Sequence, residues 1–264
     1  MKRQRVHTAF YVVVILFLAC QSSHAETVKI TNGEWAPYLS EHLPENGFAS
    51  DVVRAAFDAA GLSVEYGFYP WKRAFKLARQ GDWHGSVVWV YTPERARDFF
   101  FSDTVVTDSE YLFHLKSFKL EWQRPEDLQD VRIGGTLHTV YPAFKAAEDQ
   151  GIITIERTGT YENLYRRLLK KRIHAIPQVS AVGEFLIRTT LTPDQQAQIT
   201  MSPTIIQTRR YALILSKAIP ENKHILERFN RGLKHIRLTG IYREMLDRLK
   251  RGGYDPVPVS KSAL

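Results

Sequence analysis

Short β-branched runs alternate with amphipathic helical runs along almost the whole chain from residue 26 onward, and this restricts the fold more than any other feature. "TVKIT" (27–31) has a strand pattern. A helix starting near Ser50 gathers Phe48, Val52, Val53, Ala56, Phe57 and Ala60 on one face, carries Asp51 in its first turn and stops at Gly61. "SVEYGFY" is the next strand, and "WKRAFKLARQG" the next helix, entered through Pro70 and left at Gly81. "GSVVWVY" (85–91) is almost continuously apolar, as expected of a strand covered on both faces. The theme then repeats with strand "YLFHL", helical turn "PEDLQD", strand "VRIGGT", helix "VYPAFKAAEDQG", strand "IITIERTG" and helix "YENLYRRLLKKR". Strand "HAIPQV", helix "AVGEFLIRTT", strand "RYALILSK" and two closing helices complete it. This order predicts parallel sheets of βαβ units, with ligands gathering at the carboxyl ends of strands.

The segment ahead of this pattern is of another kind. Lys2, Arg3 and Arg5 precede an apolar run (9–19) too short for a membrane span, and small residues follow at Ser23 and Ala25. This is the build of a secretory signal peptide (1–25) cleaved after Ala25. Lipid anchoring at Cys20 is the weaker alternative, because Phe17 stands where an aliphatic residue is preferred. Cleavage removes the one cysteine, which excludes disulfides, cysteine-ligated metals and thiol nucleophiles. It also takes three cations and no acid from a net charge of +8, leaving +5. The remaining basic residues are interspersed with acids, so solvated faces are expected and nucleic-acid binding is not. The periplasm is the expected location, and a monomer the expected state.

Catalytic arrangements are thin. The nine histidines show no HExxH or other metal-ligand spacing, and there is no Gly-x-Ser-x-Gly elbow or phosphate loop. No metal, cofactor or enzymatic activity is therefore expected. Trp35 and Trp71 are different, each standing just past a strand, where two aromatics can flank a flat or cationic ligand. Trp83 and Trp122 read as structural. Trp89 lies inside the apolar strand, a packing position whose neighbours could face a cleft; Tyr91 and His138 also follow strand ends. Arg95 sits in the first turn of a helix, against the helix dipole, which suits a guanidinium that holds an anion. The competing reading is an ion pair with Glu94 or Asp98, and Arg73 has a similar pair of readings.

Taken in order, "EWAPY", "GFASDVV", "PWKRAF" with "RQGDWHG", "YTPERARDFFFSD", "VRIGGTLHTVYPAF", "KRIHAI" and "LTGIYREMLDRL" resemble the family 3 solute-binding proteins, periplasmic amino-acid-binding components of ABC transporters. The resemblance implies an α/β type II periplasmic binding protein fold, with two α/β lobes joined by a two-strand hinge and a ligand cleft between them. Residues 26–110 and 208–264 would form lobe 1, and 111–207 an inserted lobe 2. The implied function is capture of a small polar, carboxylate-bearing ligand by cleft closure and its delivery to an ABC importer. Amino-acid-like compounds and organic acids are the implied ligands, and transporter membrane subunits the implied partners. A transporter-independent sensor and a dehydratase-like enzyme on the same fold are the alternatives.

Carried over by position, the family's stacking aromatics fall on Trp35 and Trp71, and its carboxylate-gripping arginine on Arg95. Its Gly-Thr-Thr falls on His138, Thr139 and Val140. The serines that hold ligand polar groups fall on Val87, Val88 and Val90, and the ammonium-pairing aspartate falls at or beside Val179, next to Gln178. An ammonium buried against valine costs several kcal/mol unless another acid serves it, and Glu34 would serve if it faced the cleft. An ordinary α-amino acid therefore fits poorly. A polar organic acid, a modified amino acid, or an aromatic or cationic compound between Trp35 and Trp71 fits better.

Overall fold

The structure, a computed structural model, describes residues 26–257 except 138. The expected signal peptide, with Cys20, lies outside the described residues, as does His138. One eight-stranded mixed sheet runs through the molecule in the order β2-β1-β3-β8-β4-β7-β5-β6. β1 (Thr27–Asn32) pairs in parallel with β2 (Ser63–Phe68) and β3 (Gly85–Trp89). At the other end β5 (Ile133–Gly135) pairs in parallel with β6 (Ile155–Arg157) and β7 (Ala175–Val179). Between these wings lie two long antiparallel strands, β4 (Phe99–Leu115) and β8 (Ile199–Ser216), each contributing to both.

Helices cover each wing as the apolar stripes require. α1 (Phe48–Asp58) buries Phe48, Val52, Val53, Ala56 and Phe57, and α2 (Trp71–Gln80) buries Ala74 and Ala78. Short α3 (Arg95–Asp98) precedes β4. In the second wing lie α4 (Lys145–Asp149), α5 (Tyr161–Leu169), α6 (Ser180–Thr190) and α7 (Pro193–Gln196); α8 (Asn222–Leu238) and α9 (Ile241–Lys250) return to the first. α8 lies directly on α1, since a Cβ at Gly232 would stand 1.9 Å from the Ala56 carbonyl oxygen. The largest apolar cluster joins Ile30, Phe57, Leu213 and Phe229, while two further clusters draw their buried residues from 112–199.

Two expectations change. The helix expected over "VYPAFKAAEDQG" shrinks to Lys145–Asp149, because Tyr141 to Phe144 form a turn whose Tyr141 hydroxyl accepts from the Thr136 amide at 3.2 Å. The strands expected at "YLFHL" and "RYALILSK" are only the ends of β4 and β8.

Each wing carries the same histidine device. His84, just before β3, accepts from the Lys29 amide through Nδ1 at 3.1 Å, while its own amide donates to the Lys29 carbonyl. His174, just before β7, repeats this with Arg132 at 3.2 Å and stacks on Phe118 at 4.5 Å. An acceptor nitrogen must be unprotonated. Burial, first, holds both imidazoles below the ordinary histidine value; the Lys29 charge adds to this at His84, and the Arg132 charge at His174. The unfolded chain thus binds these protons more readily, so their contribution is complete above a pH of about 6.5 and is lost as pH falls through the folded values. Thermal unfolding from pH 7.5 to 5.5 is expected to show a falling midpoint, and the paired variant His84→Gln/His174→Gln a flatter one. Equal slopes for the two proteins would refute the role.

Candidate ligand cleft

The site grows from three successive strand ends of the first wing. β1 ends at Asn32, and the chain turns through Gly33 and Glu34 into Trp35, whose amide donates to the Leu39 carbonyl at 2.7 Å. This turn sets the Trp35 indole 4.9 Å from Tyr38 and edge-on to Tyr211 at 5.1 Å, centroid to centroid. After β2, Pro70 presets the entry to α2, and its carbonyl accepts from the Arg73 and Ala74 amides. Trp71 thereby becomes the first helical residue. Its indole lies over Gly33, where a Cβ would come within 2.4 Å of the ring.

The third end is β3. Ser86 pairs with Ile214 and Trp89 with Ala212, so Val87 and Val88 oppose Leu213 alone. This β-bulge places Val88 at φ 61°, a left-handed conformation that β-branched residues avoid. Such strain is retained where the surroundings demand it, and here it re-aims Trp89. The Trp89 indole N–H donates to Ser86 Oγ at 2.9 Å, and its ring meets Trp71 edge-on at 5.6 Å. Arg95, the first residue of α3, has its amide bonded to Thr92 Oγ1 at 3.2 Å. Its guanidinium lies 5.0 Å over the Trp89 ring and, among the described residues, donates once, to the Val90 carbonyl at 2.8 Å. Burial draws the Arg95 guanidinium below the usual arginine value, with Glu94 opposing, and it remains charged. No ion pair with Glu94 or Asp98 forms.

These groups line an open hollow of about 380 Å³ formed by Trp35, Trp71, Val88, Trp89, Val90, Arg95, Arg209 and Tyr211. On the other side of Trp71, Trp89 and Arg95 a second hollow of about 370 Å³ carries Lys72, Phe75, Arg79, Glu94 and Asp98. Burial pushes the Tyr211 hydroxyl up to about 12, so it is a neutral phenol.

Of the candidates, Trp35, Trp71, Trp89 and Arg95 thus come together. Glu34 is exposed and its carboxylate accepts from the Glu41 amide at 3.0 Å. Exposed Arg73 lies 5.1 Å over Tyr69, and Tyr91 is 61% exposed against Phe101. Thr139 and Gln178 belong to the second wing and do not line this cavity. Thr139 shares a hydrogen bond between hydroxyls with Thr136. Gln178 is buried; its Oε1 accepts from the Val179 amide at 2.9 Å, and its Nε2 has no partner among the described residues. Trp83 packs on Tyr69, and buried Trp122 donates to Ser202 Oγ at 3.3 Å. Sequence reasoning missed Arg209 and Tyr211, which arrive on β8 with no local signal.

Where β4 and β8 leave the first wing, Asp108 joins the two. Its carboxylate accepts from the Tyr38 hydroxyl, from Ser180 Oγ at 2.5 Å and from the Ala181 amide at 3.2 Å, at the start of α6. Farther along α6, Arg188 grips Asp255 through two bonds of 2.9 and 3.0 Å, while neighbouring Tyr254 is buried and donates to Asp51.

A cleft at the carboxyl ends of parallel strands, beside two strands shared by two α/β halves, defines a two-lobed ligand-binding protein of the type II periplasmic kind. The chain belongs to the bacterial extracellular solute-binding proteins, family 3, whose family model matches residues 29–171, more than half its length. Solved structures agree on the fold. An ancestral cationic amino-acid solute-binding protein superposes with a TM-score of 0.65 at 19% identity, over 84% of this chain and 95% of that one. Substrate-binding domain 2 of GlnP from Lactococcus lactis, in an open conformation, gives 0.65 at 16%, over 90% and 99%. A histidine kinase sensor domain similar to periplasmic binding proteins gives 0.62 at 18%, over 85% and 96%. No curated protein matches the sequence. Among the described residues no helix is long and apolar enough to cross a membrane, and no acid, histidine or cysteine group could hold a metal ion.

Proposed function

We propose that this is an exported solute-binding protein that captures a small carboxylate-bearing ligand between Trp35 and Trp71 and delivers it to an ABC importer. Residues 26–110 with 208–264 form one lobe and 111–207 the other, with β4 and β8 crossing between them as the hinge. The observation that carries this reading is Arg95: a partly buried guanidinium over the Trp89 ring, with most of its donors unused and no carboxylate partner among the described residues. Its planar fork matches a carboxylate in two bonds. Thr139 and Gln178 meet the ligand from the second lobe when the cleft closes by hinge motion. The amino-acid binders among its structural relatives support the same use of the fold.

The test is a thermal-shift screen of the purified protein against amino acids, polyamines, and organic and aromatic acids. Ligand binding to the folded state raises the midpoint with concentration. A saturable shift by a carboxylate is expected; shifts by polyamines alone would refute the reading. The likeness to a histidine kinase sensor domain favours a second use of the same cleft, as the input of a receptor. Uptake of labelled ligand by cells with and without the protein separates the two.

A further inference from the structure

We infer that the cleft is built for a flat dianion, a planar dicarboxylate with one acidic group on Arg95 and the other on Arg209. This rests on the carboxylate-binding reading above and narrows it. Both arginines line the same cavity. Arg54, Arg157, Arg167, Arg188, Arg228 and Arg248 all have carboxylate partners within 4 Å, whereas neither cleft arginine has one among the described residues. Two half-buried cations lining one hollow repel each other, and an anion relieves this. Glu110 is near enough to feel the Arg209 charge, but its carboxylate is already bonded to the Gln207 amide and burial outweighs the arginine's pull on it.

The cavity also offers donors where an amino-acid site needs acceptors. The polar side chains among its lining residues are two guanidiniums, the Tyr211 phenol and three indoles, of which the Trp89 N–H is already spent on Ser86, and none is a carboxylate. Val88 and Val90 add apolar side chains, and Val179 packs into the first wing's core without charge. An α-ammonium would enter without an acceptor carboxylate, at the cost of a buried unpaired charge. The lining is aromatic: Trp35, Trp71, Trp89 and Tyr211 are four of its eight residues, and aromatic rings suit a planar ligand. A volume of about 380 Å³ suits one small molecule.

Calorimetric titration at pH 7.5 with isophthalate, benzoate and L-glutamate tests this on the wild-type chain and on Arg209→Gln and Arg209→Lys. Isophthalate is expected to bind about tenfold or more tighter than benzoate, the worth of one additional charged hydrogen-bonded contact. Arg209→Gln should bring isophthalate close to the benzoate level, collapsing the ratio of the two affinities, and Arg209→Lys should keep part of the preference. Equal binding of benzoate and isophthalate by the wild type overturns the inference, as does an unchanged ratio in Arg209→Gln; in both cases the carboxylate-binding reading survives. L-Glutamate binding as tightly as isophthalate also overturns it, by showing that an ammonium is accommodated. Binding of none of the three overturns it together with that reading.

Discussion

Arg95→Ala abolishes ligand-induced stabilisation and leaves the protein folded. The side chain is partly exposed, and its protein contacts are one hydrogen bond to Val90 and the face of Trp89. Their loss costs about 1 kcal/mol in the free protein. A bidentate bond to a carboxylate is worth about 3 kcal/mol or more, so affinity should fall by roughly two orders of magnitude. Thermal shifts against a carboxylate found by the screen measure both effects at once. Arg95→Lys should recover only part of the shift, since an ammonium is a point charge without the planar fork. A full ligand shift in Arg95→Ala would defeat the assignment.

Asp108→Ala acts on the fold itself. The carboxylate accepts from the Tyr38 hydroxyl, Ser180 Oγ, the Ala181 amide and the Ser109 amide at 2.7 Å. Tyr38 is 2% exposed, and without Asp108 its hydroxyl keeps no partner that replaces it. A stranded buried hydroxyl and an uncapped helix start together cost about 3 kcal/mol. For a chain of this length that lowers the melting midpoint by about 6–12 °C. Because the bonded donors lie on both wings, α6 also loses one of its ties to the first wing, while the Arg188–Asp255 pair and Val182 keep others. Asp108→Asn, which keeps one carbonyl acceptor, should lose roughly half as much. Calorimetric unfolding measures the series, and a loss below about 1 kcal/mol in Asp108→Ala would show that the carboxylate is dispensable.

The parallel wings were legible because their signals are local. The apolar run of β3 and the stripe of α1 report burial directly, since burial selects residue type at fixed spacing. β4 and β8 were not. Over their middles, buried and part-exposed residues alternate irregularly, and the pairing slips at several points, so no strand period survives in the sequence. Their stability comes from each other, across about a hundred residues of chain.

The same division runs through the site. Trp35, Trp71 and Arg95 stand just past strand ends that local pattern already marks, and the parallel pairing of β1 with β2 and β3 brings those ends together. Whether Arg95 pairs with Glu94 depended on side-chain placement, and among the described residues it forms no ion pair. Glu34, free on paper to face the cleft, spends its carboxylate on the Glu41 amide of its own turn. Arg209 and Tyr211 join only because β8 pairs antiparallel with β3, bringing Ala212 opposite Trp89.

The amino-acid order by itself determined the α/β architecture, the aromatic strand ends and the valines where a charged or hydroxylated lining would suit an amino acid. Only the tertiary structure decided that those valines include a strained bulge at Trp89, and that a second arginine with no carboxylate partner among the described residues shares the hollow. Secondary structure follows from contacts within a few residues, which sequence period records. A binding site is set by the meeting of distant strands, which it does not.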